Sequence, residues 1–178
     1  MRNVFFTVGH ATRPIESFAG LLRLAEVRTV IDVRTMPRSR ANPQFNHDVL
    51  SRSLGPFGIE YQHIPELGGM RGKQKDVPFA VNAFWENRSF HNYADYAMGA
   101  EFRMGLQKLL ILGGERRCAI MCAETLWWRC HRRIIADYLI AAGETVFHIL
   151  GPGQIEQAHM TEAATPAACG VFTYPAKV

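Results

Sequence analysis

Lysine is scarce in this sequence. Of its 20 basic residues only Lys73, Lys75, Lys108 and Lys177 are lysines; the others are arginines. A GC-rich genome produces the same bias, but the arginine fork also suits bidentate contact with phosphate or carboxylate. Long apolar runs are missing too. The longest, around Leu109 to Leu112, falls far short of the ~20 residues that cross a bilayer. Met1-Arg2-Asn3 leads straight into Val4-Phe5-Phe6 without a small-residue cleavage site, so no secretory signal is expected. The reading is a cytoplasmic protein with no membrane partner. Closely spaced cysteine pairs of the zinc-module kind are absent. Cys118, Cys122, Cys130 and Cys169 are expected as free thiols, since a chain of this length builds a core without disulfides. With 48% apolar and 20% charged residues, the chain also lacks the signature of disorder. It shows no internal repeat and no linker, which predicts one domain over residues 1–178.

Short apolar runs alternate with helical patterns. Val4 to Val8, Thr29 to Val33, Ile59 to Ile64, Cys118 to Met121 and Thr145 to Leu150 read as strands, the third less apolar and nearer an edge. Ile15, Phe18, Leu21, Leu22 and Ala25 recur at helical spacing. Asn46 is placed to cap a helix through Leu54 that Gly55-Pro56 stops. A helix from Tyr93 carries Phe102, Leu106, Leu109 and Leu110 and is expected to end at Gly113-Gly114. Ile134, Ile135, Tyr138 and Leu139 face inward on a last helix, before Gly143. Residues 65–92 are irregular and glycine-rich, a length that is usually functional or mobile. The predicted fold is α/β in three layers: a mostly parallel central sheet with helices on both faces, a core over residues 4–150 and an unassigned tail over residues 151–178.

In such a sheet the site lies outside the carboxyl ends of the strands. That rule selects His10, Arg34, His63 with Glu66, Cys122 to Glu124, and the stretch after Leu150. Asp32 interrupts a buried strand and needs a partner, an arginine or a backbone amide. Arg34, Arg38 and Arg40 fall within seven residues without an acid among them. They read as an anion clamp or as arginines paired elsewhere. Cys130 and His131 stand where a helix opens, and a helix N-terminus lowers a thiol's pKa and binds phosphate. Arg129, Arg132 and Arg133 share one face by spacing. Three readings compete: Cys130 is a nucleophilic thiolate; or Cys122, Cys130 and His131 bind a metal with His10 or His63; or the cysteines are structural while His131 and the arginines act. His10, His131 and Glu124 are candidates for proton transfer. The loop after Cys122 is one residue longer than the anion cradles of thiolate phosphatases and sulfurtransferases, and it holds Glu124. Tyr61, Trp85, Phe90, Tyr93, Trp127 and Trp128 are candidates to stack on a base or to pack under the long loop.

Several motifs resemble the domain-of-unknown-function family numbered 488. They are Thr7-Val8-Gly9-His10 with Arg13, Asp32-Val33-Arg34 through Pro37-Arg38-Ser39-Arg40, Gly58 to Tyr61 with His63, Glu66 to Gly69, and Met121-Cys122-Ala123-Glu124 with Cys130-His131-Arg132. The resemblance runs from about residue 4 to residue 150. It implies a compact α/β domain without an established general activity. It also implies that His10, Arg34, Arg38, Arg40, Glu124, Cys130, His131 and Arg132 form one site. The expectation is an enzyme, hydrolase or transferase, acting on a phosphate-containing ligand, a nucleotide or nucleic acid. His10, Glu124, Cys130 and His131 are the catalytic candidates; Arg13, Arg34, Arg38, Arg40 and Arg132 are the ligand-binding ones. The alternatives are a non-catalytic nucleic-acid or ligand-binding module and a metal-binding domain. No metal is assigned, and the sequence names no cofactor.

Overall fold

The structure, a computed structural model, describes residues 2–177. Six strands form one sheet in the order β3-β2-β4-β1-β5-β6: β1 (Val4–Gly9), β2 (Thr29–Asp32), β3 (Glu60–His63), β4 (Cys118–Cys122), β5 (Thr145–Gly151) and β6 (Gln154–Gln157). The first five are parallel and β6 returns antiparallel to β5. Alternation along each strand divides the core. Phe6, Val8, Val30, Ala119 and Met121 pack with α1 (Ile15–Leu24) and α2 (His47–Leu54). Phe5, Ile31, Cys118, Ile120 and Val146 pack on the other face with α3 (Arg88–Ala97), α4 (Ala100–Glu115) and α5 (Arg132–Ala141). Successive side chains of a strand point to opposite faces, so the almost unbroken apolar strands require both helical layers. The fold is therefore the three-layer α/β arrangement that the alternation predicts. No helix among the described residues is long and apolar enough to cross a membrane.

Four local expectations change. The apolar stripe from Tyr93 to Leu110 belongs to two helices, broken at Met98-Gly99. Gly113-Gly114 does not end α4, which runs on to Glu115. A Cβ at Gly113 would overlap the Phe5 ring, so this glycine serves close helix-to-sheet packing rather than termination. Asn46 precedes α2 but does not cap it; its Oδ1 accepts from the Ser39 amide at 2.7 Å and ties down the loop after β2. The tail folds back: Phe172 and Tyr174 are buried, and a two-stranded ribbon joins β7 (Thr165–Pro166) to β8 (Phe172–Thr173). Tyr174 donates from its hydroxyl to Asp137 on α5 at 2.9 Å.

Candidate active site at the strand ends

Register brings the strand ends level. Gly9 pairs with Cys122, and Asp32 pairs with both Met121 and His63. The loop after β4 then folds directly over the end of β1, because a Cβ at Gly9 would sit 2.5 Å from the Glu124 carbonyl carbon. Above these ends opens a cavity of about 950 Å³, at the large end for small-molecule sites. His10, Arg34, Arg38, Glu124, Cys130 and His131 all line it, together with Cys122.

The centre of its floor is Cys130. Arg132 Nε donates to its sulfur at 3.2 Å, and His131 Nδ1 lies 3.6 Å away. His131 Nε2 is 2.9 Å from the Val33 carbonyl. That oxygen only accepts, so Nε2 carries a proton and Nδ1 is turned to the sulfur. The Cys122 sulfur, the Cys130 sulfur and one ring nitrogen of His131 all lie within 4.8 Å of one another. Burial pushes the Cys130 thiol up, but the Cys122 thiol, His131 and Arg132 together outweigh it and hold it well below its ordinary value. Cys122 moves the opposite way, raised first by its hydrogen bond to Cys130 and then by burial. The two neighbouring thiols thus shift in opposite directions, Cys130 towards the thiolate and Cys122 towards the thiol. Arg132 gives a second reason for that charge. Its guanidinium is 1% exposed and has no carboxylate in ion-pair range among the described residues; it bonds Thr7, the Glu124 carbonyl and the Cys130 sulfur. A buried cation needs a counter-charge, and that sulfur is the group in contact with it able to carry one.

The opposite wall is a rigid polar frame. Arg34 donates to Asp32 through Nε at 2.9 Å and Nη2 at 2.7 Å, and to the Phe45 carbonyl at 2.6 Å. Its Nη1 lies 3.1 Å from His10 Nε2, which accepts, while His10 Nδ1 donates to the Ala11 carbonyl at 2.8 Å. Burial above all lowers the His10 pKa to about 4. His10 is therefore neutral near pH 7 and orients Arg34. Tyr61 donates to Asp32 at 2.7 Å, and burial with that carboxylate pushes its phenol up. These contacts supply the partner that Asp32 required.

The remaining arginines separate by role. Arg13 donates to the Gly9 and Leu150 carbonyls and stands outside the cavity lining. Arg40 is exposed and also outside it. Arg132 lies beneath the floor. The shared face expected for Arg129, Arg132 and Arg133 does not exist. Arg129 sits in the 3-10 turn Trp127–Arg129 ahead of α5, Arg132 turns inward, and Arg133 lies 5.0 Å over the Trp85 ring. Arg38 and Arg129 are the rim cations: both are exposed, line the cavity and hold no side-chain partner among the described residues. Glu124 Oε1 accepts from the Leu126 amide at 3.0 Å, which fixes the carboxylate at the wall. His63 donates to the Arg34 carbonyl at 2.8 Å, and Glu66 pairs with Lys108 outside the cavity. Most of the aromatic residues pack: Trp85 stacks on Phe90 and Trp127 on His148.

Three contributions lie outside the sequence reading. Met36 and Met70 join Phe90, already a stacking candidate, in giving the rim an apolar side. Gly69 packs on His131, where a Cβ would lie 2.7 Å from the ring's Cγ. Arg71 closes the loop by donating to the Pro65 and Gly68 carbonyls and stacking 3.8 Å over Tyr96. The Gly68-Gly69 pair was the visible signal for the second; nothing local in the sequence marks the others.

Among the described residues, Cys122, Cys130 and His131 form the group of side chains close enough together to hold a metal ion, without His10 or His63. A family model described as a domain of unknown function, DUF488, matches residues 14–139. The chain belongs to the DUF488 family. The DUF488 match spans Arg34, Arg38, Cys122, Glu124 and the Cys130-His131-Arg132 run, while His10 and Arg13 precede it. No curated protein and no solved structure matches the chain.

Proposed function

We propose that this DUF488 protein is a cytoplasmic enzyme that acts on a phosphate-containing ligand, a nucleotide or nucleic acid, through the Cys130 thiolate. The observation that carries the reading is the Cys130, His131 and Val33 arrangement on the cavity floor: a nucleophile, a base beside it and a carbonyl that orients the base. Arg38 and Arg129 supply bidentate anion contacts at the rim. Met36, Met70 and Phe90 offer an apolar seat for a base. Cys130 attacks, His131 Nδ1 holds or returns the thiol proton, and Glu124 serves the leaving group or the incoming water. Arg34 and His10 keep the wall in place. The outcome is hydrolysis when water completes the reaction and transfer when another acceptor does. Four unpaired cysteines suit a reducing compartment.

The test is a panel of nucleotides, oligonucleotides and simple phosphate esters. Cys130→Ser is expected to abolish turnover and His131→Ala to lower it at least ~100-fold. Unchanged activity in both variants overturns the reading. Salt-sensitive binding without turnover, lost in Arg38→Ala and Arg129→Ala, would instead make the protein a binding module.

A second reading rests on the cysteine-histidine cluster. Cys122, Cys130 and His131 offer three ligand atoms within 4.8 Å, and the Val33 carbonyl orients His131 as a metal ligand's outer partner would. The buried Arg132 guanidinium against Cys130 opposes a divalent ion there. Elemental analysis of protein purified without an affinity tag decides: one zinc per chain establishes the metal site.

A further inference from the structure

We infer that Cys122 and Cys130 form a reversible disulfide when the protein meets a hydroperoxide, so that Cys122 is a resolving thiol built into the site. The inference rests on reading Cys130 as the reactive thiolate, and it extends that reading to a modification of the same centre.

The geometry distinguishes this pair from the other two cysteines. The sulfurs of Cys122 and Cys130 lie within 4.8 Å, and both residues line the cavity, so a small oxidant reaches them. Cys118 shares β4 with Cys122, but about 13 Å away along the strand. It is fully buried, donates to the Arg116 carbonyl at 3.3 Å and has its thiol pushed up to about 12 by burial. Cys169 is exposed on the tail, between α5 and the end of the chain. One partner of the pair is fixed at a strand end. The other follows the irregular residues 123–129, where Ala123, Trp128 and Arg129 are exposed. That connection gives the sulfurs freedom to close to the bonded distance of about 2.05 Å.

The chemistry has two steps. The Cys130 thiolate attacks the peroxide oxygen; an S–O bond forms and the O–O bond breaks. The departing alkoxide or hydroxide takes a proton, and Cys130 becomes a sulfenic acid. Cys122 then loses its proton and attacks the Cys130 sulfur. The S–S bond forms, the S–O bond breaks, and the released hydroxide joins that proton as water. Two thiols are oxidised by two electrons, and the hydroperoxide is reduced to an alcohol, or to water when it is hydrogen peroxide. The product has no nucleophile, and Arg132 has lost its counter-charge, so the oxidised centre is inactive and strained towards reduction by a dithiol.

The experiment treats the reduced full chain with one equivalent of hydrogen peroxide and reads intact mass, free thiols and linked peptides. The expected result is a loss of two hydrogens, two of the four thiols and a Cys122–Cys130 peptide, all reversed by dithiothreitol. Cys169→Ser is expected to behave the same way. Cys122→Ser is expected to accumulate one or two oxygens on Cys130 instead. Sulfinic acid on Cys130 in the unaltered chain, a linkage through Cys169, or a bound zinc that shields the thiols overturns the inference. Iodoacetamide labelling at neutral pH is run in parallel. Preferential labelling of Cys130 without disulfide formation defeats this inference alone, whereas labelling of Cys130 no faster than Cys169 defeats the thiolate reading beneath it.

Discussion

Replacing Asp32 by alanine tests the polar frame beside the cavity. Asp32 is fully buried and accepts from the Arg34 amide at 3.0 Å, from Arg34 Nε and Nη2, and from the Tyr61 hydroxyl. Its removal leaves the 7% exposed Arg34 guanidinium with only the Phe45 carbonyl and His10 Nε2. Breaking a buried pair from one side costs about 3–5 kcal/mol, a large share of the roughly 5–15 kcal/mol that holds a domain folded. With a urea slope of about 2 kcal/mol/M, the unfolding midpoint falls by about 1.5–2.5 M. The double variant Asp32→Ala with Arg34→Met removes the orphaned charge together with its partner. It is expected to recover much of the loss, giving a coupling of roughly 0.5–3 kcal/mol in a double-mutant cycle. Two results refute the reasoning. A single-variant loss below about 1 kcal/mol would show a pair no stronger than an exposed one. A double variant that loses the sum of both singles would show that the residues do not couple.

Acid stability tests the buried histidines. His10 and His148 are both lowered from 6.5 to about 4, chiefly by burial. The unfolded chain therefore binds protons at these sites below pH 6.5 while the native one does not, and stability is lost as pH falls from 6.5 towards 4. The loss is expected to approach ~3 kcal/mol per histidine, read as midpoint against pH; a flat profile across that window contradicts the burial argument. Gly69→Ala is expected to push the 65–72 loop off His131 at a cost of about 1–3 kcal/mol. It should also slow Cys130 alkylation at unchanged Cys169 alkylation; equal rates in the variant and the parent would show that Gly69 does not position His131.

Four of the five parallel strands were legible as short, largely apolar runs, and β3, Glu-Tyr-Gln-His, was legible from the isoleucines that flank it, Ile59 and Ile64. The strand-end rule then reached His10, Arg34, Cys122 and Glu124 without any knowledge of their contacts. β6 was not legible: Gln154–Gln157 is exposed throughout and polar at three of four positions, so its pairing depends on the neighbouring β5 edge rather than on its own pattern. The break at Met98-Gly99 was hidden because the apolar stripe continues on both sides of it. Arginine roles were the hardest to read. Arg132 and Arg129 look alike in sequence, yet the first lies under the floor and the second over the rim. Where α5 begins decides which way each one faces, and tertiary packing sets that start.

The proposed reactive centre is carried by three consecutive residues, Cys130, His131 and Arg132. The nucleophile and base of that proposal, and the counter-cation beside them, therefore belong to one short stretch at the head of α5. Its link to the Val33 carbonyl, 98 positions away, sets the ring's orientation. A cassette of this kind is easily transplanted but not easily switched on. Moved to another helix start, it would keep its three side chains and lose the distant carbonyl that selects the tautomer. On that proposal the thiol is armed only once β2 and α5 have met, so a partly folded chain carries the Cys130 sulfur in an unarmed state.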